Sequence, residues 1–454
     1  MSEWKKVKIG DFLKQYRNTI YVDDYQQYKQ VTISSKSGVK YRCSKIGKEI
    51  GRKRQFLIDL KTYPNTVIFT RQGLHEGAIG LAPQEVDGCI VTENMPMFSV
   101  DETIVDIFYL KYFLLSPAFS SLISTLTPTG SAQKSIHERD LLPLEISLPD
   151  LQTQQKIVCE LAKKIKKVEL IKSEIESQKS YAKQLRQNIL QEAIEGKFTE
   201  EWRKNNPVIK GNPDFDAEAL FEKIQEEKCH TDSELLRNSK KKEKALPEIT
   251  DDEKPFEIPE GWKWVRLGEV SESCLGKMLD GIKNQGKMRK YLRNLNVRWF
   301  CFDLSDLLEM KIKDEELEKF SARKGDLLIC EGGYPGRSAI WNEDYDICFQ
   351  KAVHRVRFFN TPYMPRLLNL YLFLLSENGK IEKYLTGEGI RHLTGVKLKQ
   401  ILFPLPPLAE QEEIVRVVEA QLTKVDQLEK QITERETLTK RLMQSILKDA
   451  FGEE

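Results

Sequence analysis

Two stretches of the chain share one apolar pattern. From Leu148 to Ile194 and from Pro404 to Phe451, apolar residues return every three or four positions while the polar residues between them vary. A constant offset of 257 residues superposes the two. Ile157, Leu161, Ile165, Val168, Ile171, Ile175, Leu185 and Ile189 then coincide with Ile414, Val418, Leu422, Val425, Leu428, Ile432, Leu442 and Ile446, and Gln154 with Gln411. This spacing sets the apolar residues on one face of a helix. Each stretch opens on a proline-containing apolar segment and then runs without Pro or Gly, which predicts a continuous helix of about 45 residues and about 65 to 70 Å. An amphipathic rod of that length cannot bury its own stripe. The two are therefore predicted to pack on each other as a coiled coil, with these apolar residues as the interface.

The repetition extends beyond the helices. Trp4 to Phe12 (WKKVKIGDF) matches Trp262 to Val270 (WKWVRLGEV), and Thr129-Gly130 precedes Thr386-Gly387 by the same 257 residues. Between these landmarks the halves diverge, so the plan is a globular unit and a helix, twice over. Strands are predicted at Thr66 to Thr70, Cys89 to Thr92, Asp326 to Cys330 and Val353 to Phe358, and helices at Ile107 to Leu115 and Pro365 to Leu375. Each unit reads as a compact α+β domain of about 150 residues. The predicted boundaries are 1–147 for the first domain, 148–196 for the central helix, 197–258 for a charged linker, 259–403 for the second domain and 404–454 for the terminal helix. The linker carries a short helical pattern around Ala217 to Lys228, the basic run Lys240, Lys241, Lys242 and Lys244, and acids at Asp251, Asp252 and Glu253, a composition suited to a solvated return of the chain.

Composition narrows the function less than pattern does. Lys and Arg (71) nearly balance Asp and Glu (69), giving a net charge of +2, so any nucleic-acid role must rest on where charge is placed. No apolar run reaches membrane-spanning length and the start, MSEWKKVKIGDFL, lacks a signal-peptide core, which predicts a soluble cytoplasmic protein without membrane contact. The eight cysteines form no C-x-x-C pair and read as reduced thiols with no metal site.

Several segments, in order, resemble the specificity subunit of type I restriction-modification systems. They are LFPLPPLAEQ at Leu402 to Gln411 before the terminal helix, EEWRKNNP after the first helix, the Lys-rich run followed by LPEI, and FEIPEGWKWVRLGEV opening the second half. GDLLICEGGYPGRSAIW at Gly325 to Trp341 and FQKAVHRVR at Phe349 to Arg357 look like target-recognition segments. The first copy departs from the usual pattern in LPDLQTQQ, where Asp150 and Thr153 replace Pro and Glu, which would weaken one docking contact.

The resemblance implies two target-recognition domains separated by two long helices that pair as an antiparallel coiled coil, related by a pseudo-twofold. It also implies a bipartite, asymmetric DNA target, with half-sites about 34 to 36 Å apart if both are read from one face of the duplex. The chain itself would bind no cofactor. Two methyltransferase subunits and restriction motor-nuclease subunits would join it, and those partners would use S-adenosylmethionine, ATP and magnesium.

DNA contact calls for cationic forks and amide edges near turns. In the first domain these are Arg52, Lys53 and Arg54, then Arg71, Gln72 and His75, and the turn with Ser131, Gln133 and Lys134. In the second they are Lys287, Arg289, Lys290 and Arg293, the loop with Tyr334 and Arg337, and Arg391 with His392.

Catalytic patterns fail on their context. Gly281 to Lys287 fits G-x-x-x-x-G-K, but Met288 stands where a P-loop needs a hydroxyl. Pro213-Asp214 with Glu226-Glu227-Lys228 imitates a nuclease pattern within a polar segment. There is neither an Asn-Pro-Pro-aromatic tetrapeptide nor a G-x-G-x-x-G turn. The chain is read as a non-catalytic recognition subunit. The alternatives are a specificity subunit serving a fused nuclease-methylase, a self-sufficient methyltransferase or nuclease, and a coiled-coil assembly protein.

Overall fold

The computed structural model describes residues 4–35, 38–127, 135–236, 246–359 and 361–451. The chain divides into two compact units, Met1–Gln178 with Gln431–Glu454, and Lys179–Lys430. Two long helices, α1 (Leu151–Ile194) and α2 (Leu408–Phe451), each contribute to both units.

In the first unit Lys5–Lys8 pairs antiparallel with Glu145–Leu148, bringing the segment before α1 back against the start of the chain. A four-stranded sheet has the order Leu13–Tyr16, Met97–Val100, Thr66–Phe69, Ile79–Leu81. A five-stranded sheet follows the order Thr19–Tyr21, Arg54–Leu57, Ile90–Val91, β1 (Gln27–Ser34), β2 (Gly38–Ile46). Thr66–Phe69 is buried at every position, as befits a β-branched and aromatic run inside a sheet. Helix Ile107–Leu114 starts where the Asp106 carboxylate accepts from the backbone N–H groups of Phe108 and Tyr109, and it buries Tyr109, Leu110, Phe113 and Leu114.

The second unit repeats this topology on a different sequence, without a counterpart of Thr19–Tyr21 among its described strands. Lys263–Arg266 pairs with Leu402–Leu405. A four-stranded sheet runs Ser271–Leu275, Val353–Phe358, Leu327–Cys330, Ser338–Ile340. A second has the order β4 (Leu308–Ile312), β3 (Lys287–Leu292), Ile347–Phe349, Ser321–Ala322. Both units share one unusual step, in which an antiparallel outer ribbon meets its inner neighbour in parallel: Gln30 with Ile90, and Tyr291 with Cys348. Helix Met364–Glu377 buries Leu367, Leu368, Leu370, Tyr371 and Leu374, the apolar face predicted from its spacing.

The long helices run antiparallel within each unit. In the first, Leu161 and Ile165 share a core with Leu447 and Phe451, and farther along Arg435 Nη1 donates to Gln178 Oε1 at 2.9 Å. In the second, Ile189 and Ala193 share a core with Ile414 and Val418, and the Arg186 guanidinium bridges Asp426 and Glu429.

The seam is narrower than the apolar pattern. Its buried rungs recur every seven residues, at Gln154, Leu161, Val168, Ile175, Ala182 and Ile189 on α1, and at Gln411, Val418, Val425, Ile432 and Thr439 on α2. Ile165, Ile414 and Leu422 are also buried, and Ile157 and Ile446 partly so. Ile171, Leu185, Leu428 and Leu442, expected in the interface, are instead 37 to 45% exposed. A two-helix contact is only a few side chains wide, and residues three positions past a rung turn about 60° off its axis in a helix of 3.6 residues per turn. The small residues Ala182 and Thr439 take rungs that apolar counting passes over. Gln154 and Gln411 are buried because each ties a helix start to the proline turn before it: their Nε2 atoms donate to Pro149 O and Pro406 O, both at 2.9 Å.

Segment 197–258, read from composition as a solvated linker, is in part packed. Helix Ala217–Leu236 sets Ala217, Leu220 and Ile224 in the core of the second unit, one apolar face that a charge-rich sequence conceals. The start of the segment is clamped by Glu410. Its buried carboxylate accepts from Thr199 Oγ1 at 2.6 Å, Arg203 Nη1 at 2.6 Å and Trp262 Nε1 at 2.7 Å. Three parts of the chain, the end of the α1 turn, the opening of the second domain and the first turn of α2, thus meet on one carboxylate. Among the described residues no single helix is long and apolar enough to cross a membrane.

Candidate nucleic-acid interface

Most cations singled out from the sequence are engaged within the protein. Arg71 makes a bidentate pair with Glu138, Nε to Oε2 at 2.9 Å and Nη2 to Oε1 at 2.6 Å, while Gln15 Nε2 also donates to Glu138 at 3.2 Å. Burial opposes ionisation of Glu138, but these hydrogen bonds outweigh it and hold the carboxyl below its ordinary value. The hydrogen bond to Glu138 in turn raises the Arg71 pKa. Arg71 is a brace between two loops of the first unit, with its fork already filled.

Lys53 pairs with Asp24 and donates to Gly47 O at 2.9 Å, and Arg54 lies 5.7 Å over the Phe56 ring. Arg52, Gln72 and His75 are exposed, with His75 Nε2 3.7 Å from Glu76. Ser131, Gln133 and Lys134 lie outside the described residues.

In the second unit Lys287 and Arg289 converge on Asp314, with Lys287 at 2.9 Å, and these hydrogen bonds lower the Asp314 pKa. Arg293 Nη2 donates to Asp306 Oδ2 at 2.6 Å and Arg391 Nη1 lies 3.2 Å from Glu382. Lys290 is exposed, opposite Glu309 in the ladder. Lys287 opens strand β3, so Gly281 to Lys287 lacks the helix a P-loop requires. Arg355 and His354, within the FQKAVHRVR segment, are buried. Arg355 Nη1 donates to Glu318 O and Ser321 O, at 3.0 and 2.7 Å.

The structure does bring one predicted pair of loops together. Leu393 N donates to Glu331 O at 2.8 Å, setting the hairpin closed by Thr386 and His392 beside the loop Glu331 to Arg337. Gly333 and Gly336 hold φ of +77° and +87° in that loop, a conformation that favours glycine. The turn exposes Tyr334 while the Arg337 guanidinium stacks 4.0 Å from its ring and donates to Asn294 O at 2.8 Å. Arg337 therefore supports the loop, and Tyr334 is the side chain it presents.

Sequence inspection missed the ribbon β1–β2. Val31, Ile33 and Val39 are buried, whereas Lys40, Arg42 and Lys45 are exposed. Its signal was the strand alternation itself, apolar inward and basic outward, rather than a turn motif.

Comparison with known proteins places this geometry. The model of a family described as type I restriction modification DNA specificity domain matches residues 1–178 and again 259–436. The chain is 27% identical over 243 residues to the Type I restriction enzyme EcoAI specificity subunit of Escherichia coli, covering 51% of this chain and 38% of that protein. It is 25% identical over 346 residues to the EcoBI specificity subunit of Escherichia coli, covering 74% and 63%. The matches thus span less than two thirds of either relative's length. A chain from a solved structure concerned with assembly and conformational transition of the type I R-M system shares the fold, with a TM-score of 0.62 at 19% identity over 99% of this chain and 97% of that one.

Proposed function

The chain belongs to the type I restriction modification DNA specificity family, and on that premise we propose that it is the subunit that chooses the DNA sequence for a restriction-modification complex. Each unit reads one half of a bipartite, asymmetric duplex target, and the long helices recruit the catalytic partners. The observation that carries this reading is one strand topology built twice on dissimilar sequences. A shared scaffold with different exposed side chains suits two different half-sites. Two methyltransferase subunits match the duplication, and the exposed apolar residues Ile171, Leu185, Leu428 and Leu442 offer them surface. S-adenosylmethionine, ATP and magnesium then belong to the methyltransferase and motor-nuclease partners, and this chain contributes recognition without catalysis.

The test is single-molecule sequencing of adenine methylation in a host expressing the chain with its methyltransferase subunit, against the same host lacking the chain. A new split, asymmetric motif is the expected result. Unchanged methylation despite a stable complex would refute the reading.

A further inference from the structure

The β1–β2 ribbon of the first unit has the features of a groove reader. β2 is the edge strand of its sheet, and Gly80 approaches its Gly38–Val39 end. Residues of β1 and β2 pair Thr32 with Lys40, Gln30 with Cys43 and Tyr28 with Lys45, which puts these pairs on one face, opposite the face that buries Val31, Ile33 and Val39; at the base of that first face Tyr28 packs against Val22, Ile50 and Ile90. The register shifts between Gln30 and Val31, whose partners are Cys43 and Tyr41. Arg42 is left over as a bulge, a feature that twists a ribbon and re-aims the extra side chain. The Tyr41 hydroxyl and Ser44 Oγ, 2.9 Å apart, brace the bulged stretch.

Charge distinguishes this ribbon from its topological equivalent. In β3–β4, Asp314 meets two cations, Lys287 and Arg289, and Lys290 sits opposite Glu309, which leaves Lys311 as the exposed cation with no acid across from it. Among the described residues no ion pair engages Lys40, Arg42 or Lys45. At the ribbon's base Asp24 is paired with Lys53, and Asp23 accepts from the Tyr25 amide. The partners of Lys40 and Lys45 on β1 are four residues apart, about 13 Å at roughly 3.3 Å per residue. A B-DNA major groove is about 12 Å wide and admits a two-stranded ribbon.

We propose that the β1–β2 ribbon enters the major groove of one half-site, with Lys40 and Lys45 on the flanking phosphates and the bulged Arg42, beside Gln30, directed at base edges. This rests on the reading that the chain selects duplex DNA. It assigns one half-site to an element rather than to the whole domain.

The test uses the full chain in complex with its methyltransferase subunit. Lys40→Ala and Lys45→Ala each reduce the slope of log affinity against log salt by about one and weaken cognate and random duplexes alike. Lys40→Arg and Lys45→Arg retain the slope, which separates charge from folding. Arg42→Ala lowers cognate affinity about ten- to a hundredfold, leaves random-duplex affinity within about twofold, and relaxes one half of the methylated motif while the other half stays intact. Wild-type slopes and an unchanged motif in these variants would overturn the assignment while leaving the specificity reading in place. Loss of the slope in the Arg variants as well would also overturn it. If the lysines only guard an edge strand, the Ala variants self-associate with no change in DNA affinity, which counts against the proposal. A wild-type complex that methylates no split motif would refute the specificity reading itself, and the ribbon assignment with it.

Discussion

Replacing Glu410 by alanine tests whether one carboxylate holds the second unit together at the start of α2. The side chain is 2% exposed and accepts three hydrogen bonds, from Thr199, Arg203 and Trp262. Hydrogen bonds to a charged group contribute about 1.5 kcal/mol or more each, and removing one partner of a buried ion pair costs about 3 to 5 kcal/mol. The Arg203 side chain is 21% exposed, so water partly replaces its lost partner and the lower end applies. Glu410→Ala is thus expected to destabilise the unit by about 3 kcal/mol. Glu410→Gln keeps the shape and one good acceptor but turns an amide donor toward other donors, for about 2 kcal/mol. The assay is urea unfolding of the full chain followed by tryptophan fluorescence, with Trp262 as the local reporter. At a slope of about 3 kcal/mol per molar for a unit of this size, the alanine variant unfolds about 1 M earlier. Arg203→Ala closes a double-mutant cycle with an expected coupling above about 1.5 kcal/mol. Midpoints within about 0.2 M of wild type, or coupling below about 0.5 kcal/mol, would refute the clamp.

Other predictions address the seam, the buried histidine and the Arg71 brace. Ile175→Ala, on a buried rung, destabilises the first unit by about 2 to 4 kcal/mol, whereas Ile171→Ala stays within about 0.5 kcal/mol; urea titration compares them directly. Burial lowers the His354 pKa, against the smaller opposing effect of its 2.9 Å hydrogen bond to Leu393 O. With the folded value below the ordinary one near 6.5, its contribution is fully present above about pH 6.5 and is lost as pH falls toward the folded value, so His354→Gln flattens the stability profile in that acid range. Arg71→Ala destabilises the first unit by about 2 kcal/mol and leaves the salt slope of DNA binding unchanged, as measured by unfolding and by titration with duplex. The Glu138 contribution is present above the ordinary carboxyl value of about 4.3 and disappears as pH falls through its lower folded value; it vanishes in the same variant.

The scaffold was legible wherever burial follows a period. Both long helices, helix Met364–Glu377 and strand Val353–Phe358 could be read from apolar spacing, and the duplication from an offset that survives side-chain drift. Spacing alone did not separate a rung from its neighbour: Ile171 and Leu185 are apolar but face outward, while Ala182 and Thr439 face inward. Nor did composition expose the packed face of Ala217, Leu220 and Ile224 amid the charges around it. The interface was less legible still. A cation free to meet a phosphate and one held by a carboxylate 67 residues away, as Arg71 is by Glu138, have the same letter in a sequence. Only the fold distinguishes them, and it moves attention from Arg71 and Arg337 toward Tyr334 and the ribbon.

The alternation along β1 and β2 divides two burdens between the two faces of one ribbon. Val31, Ile33 and Val39 pack beneath one face and Tyr28 packs at the base of the other, whereas the exposed Thr32, Lys40, Arg42 and Lys45 lie outside both clusters. Substitutions at those exposed positions therefore change what is met outside at almost no cost in stability, and most leave the domain above its folding threshold. Such a surface can drift residue by residue through functional intermediates, so new sequence preferences are accessible to ordinary point mutation without exchange of a whole domain.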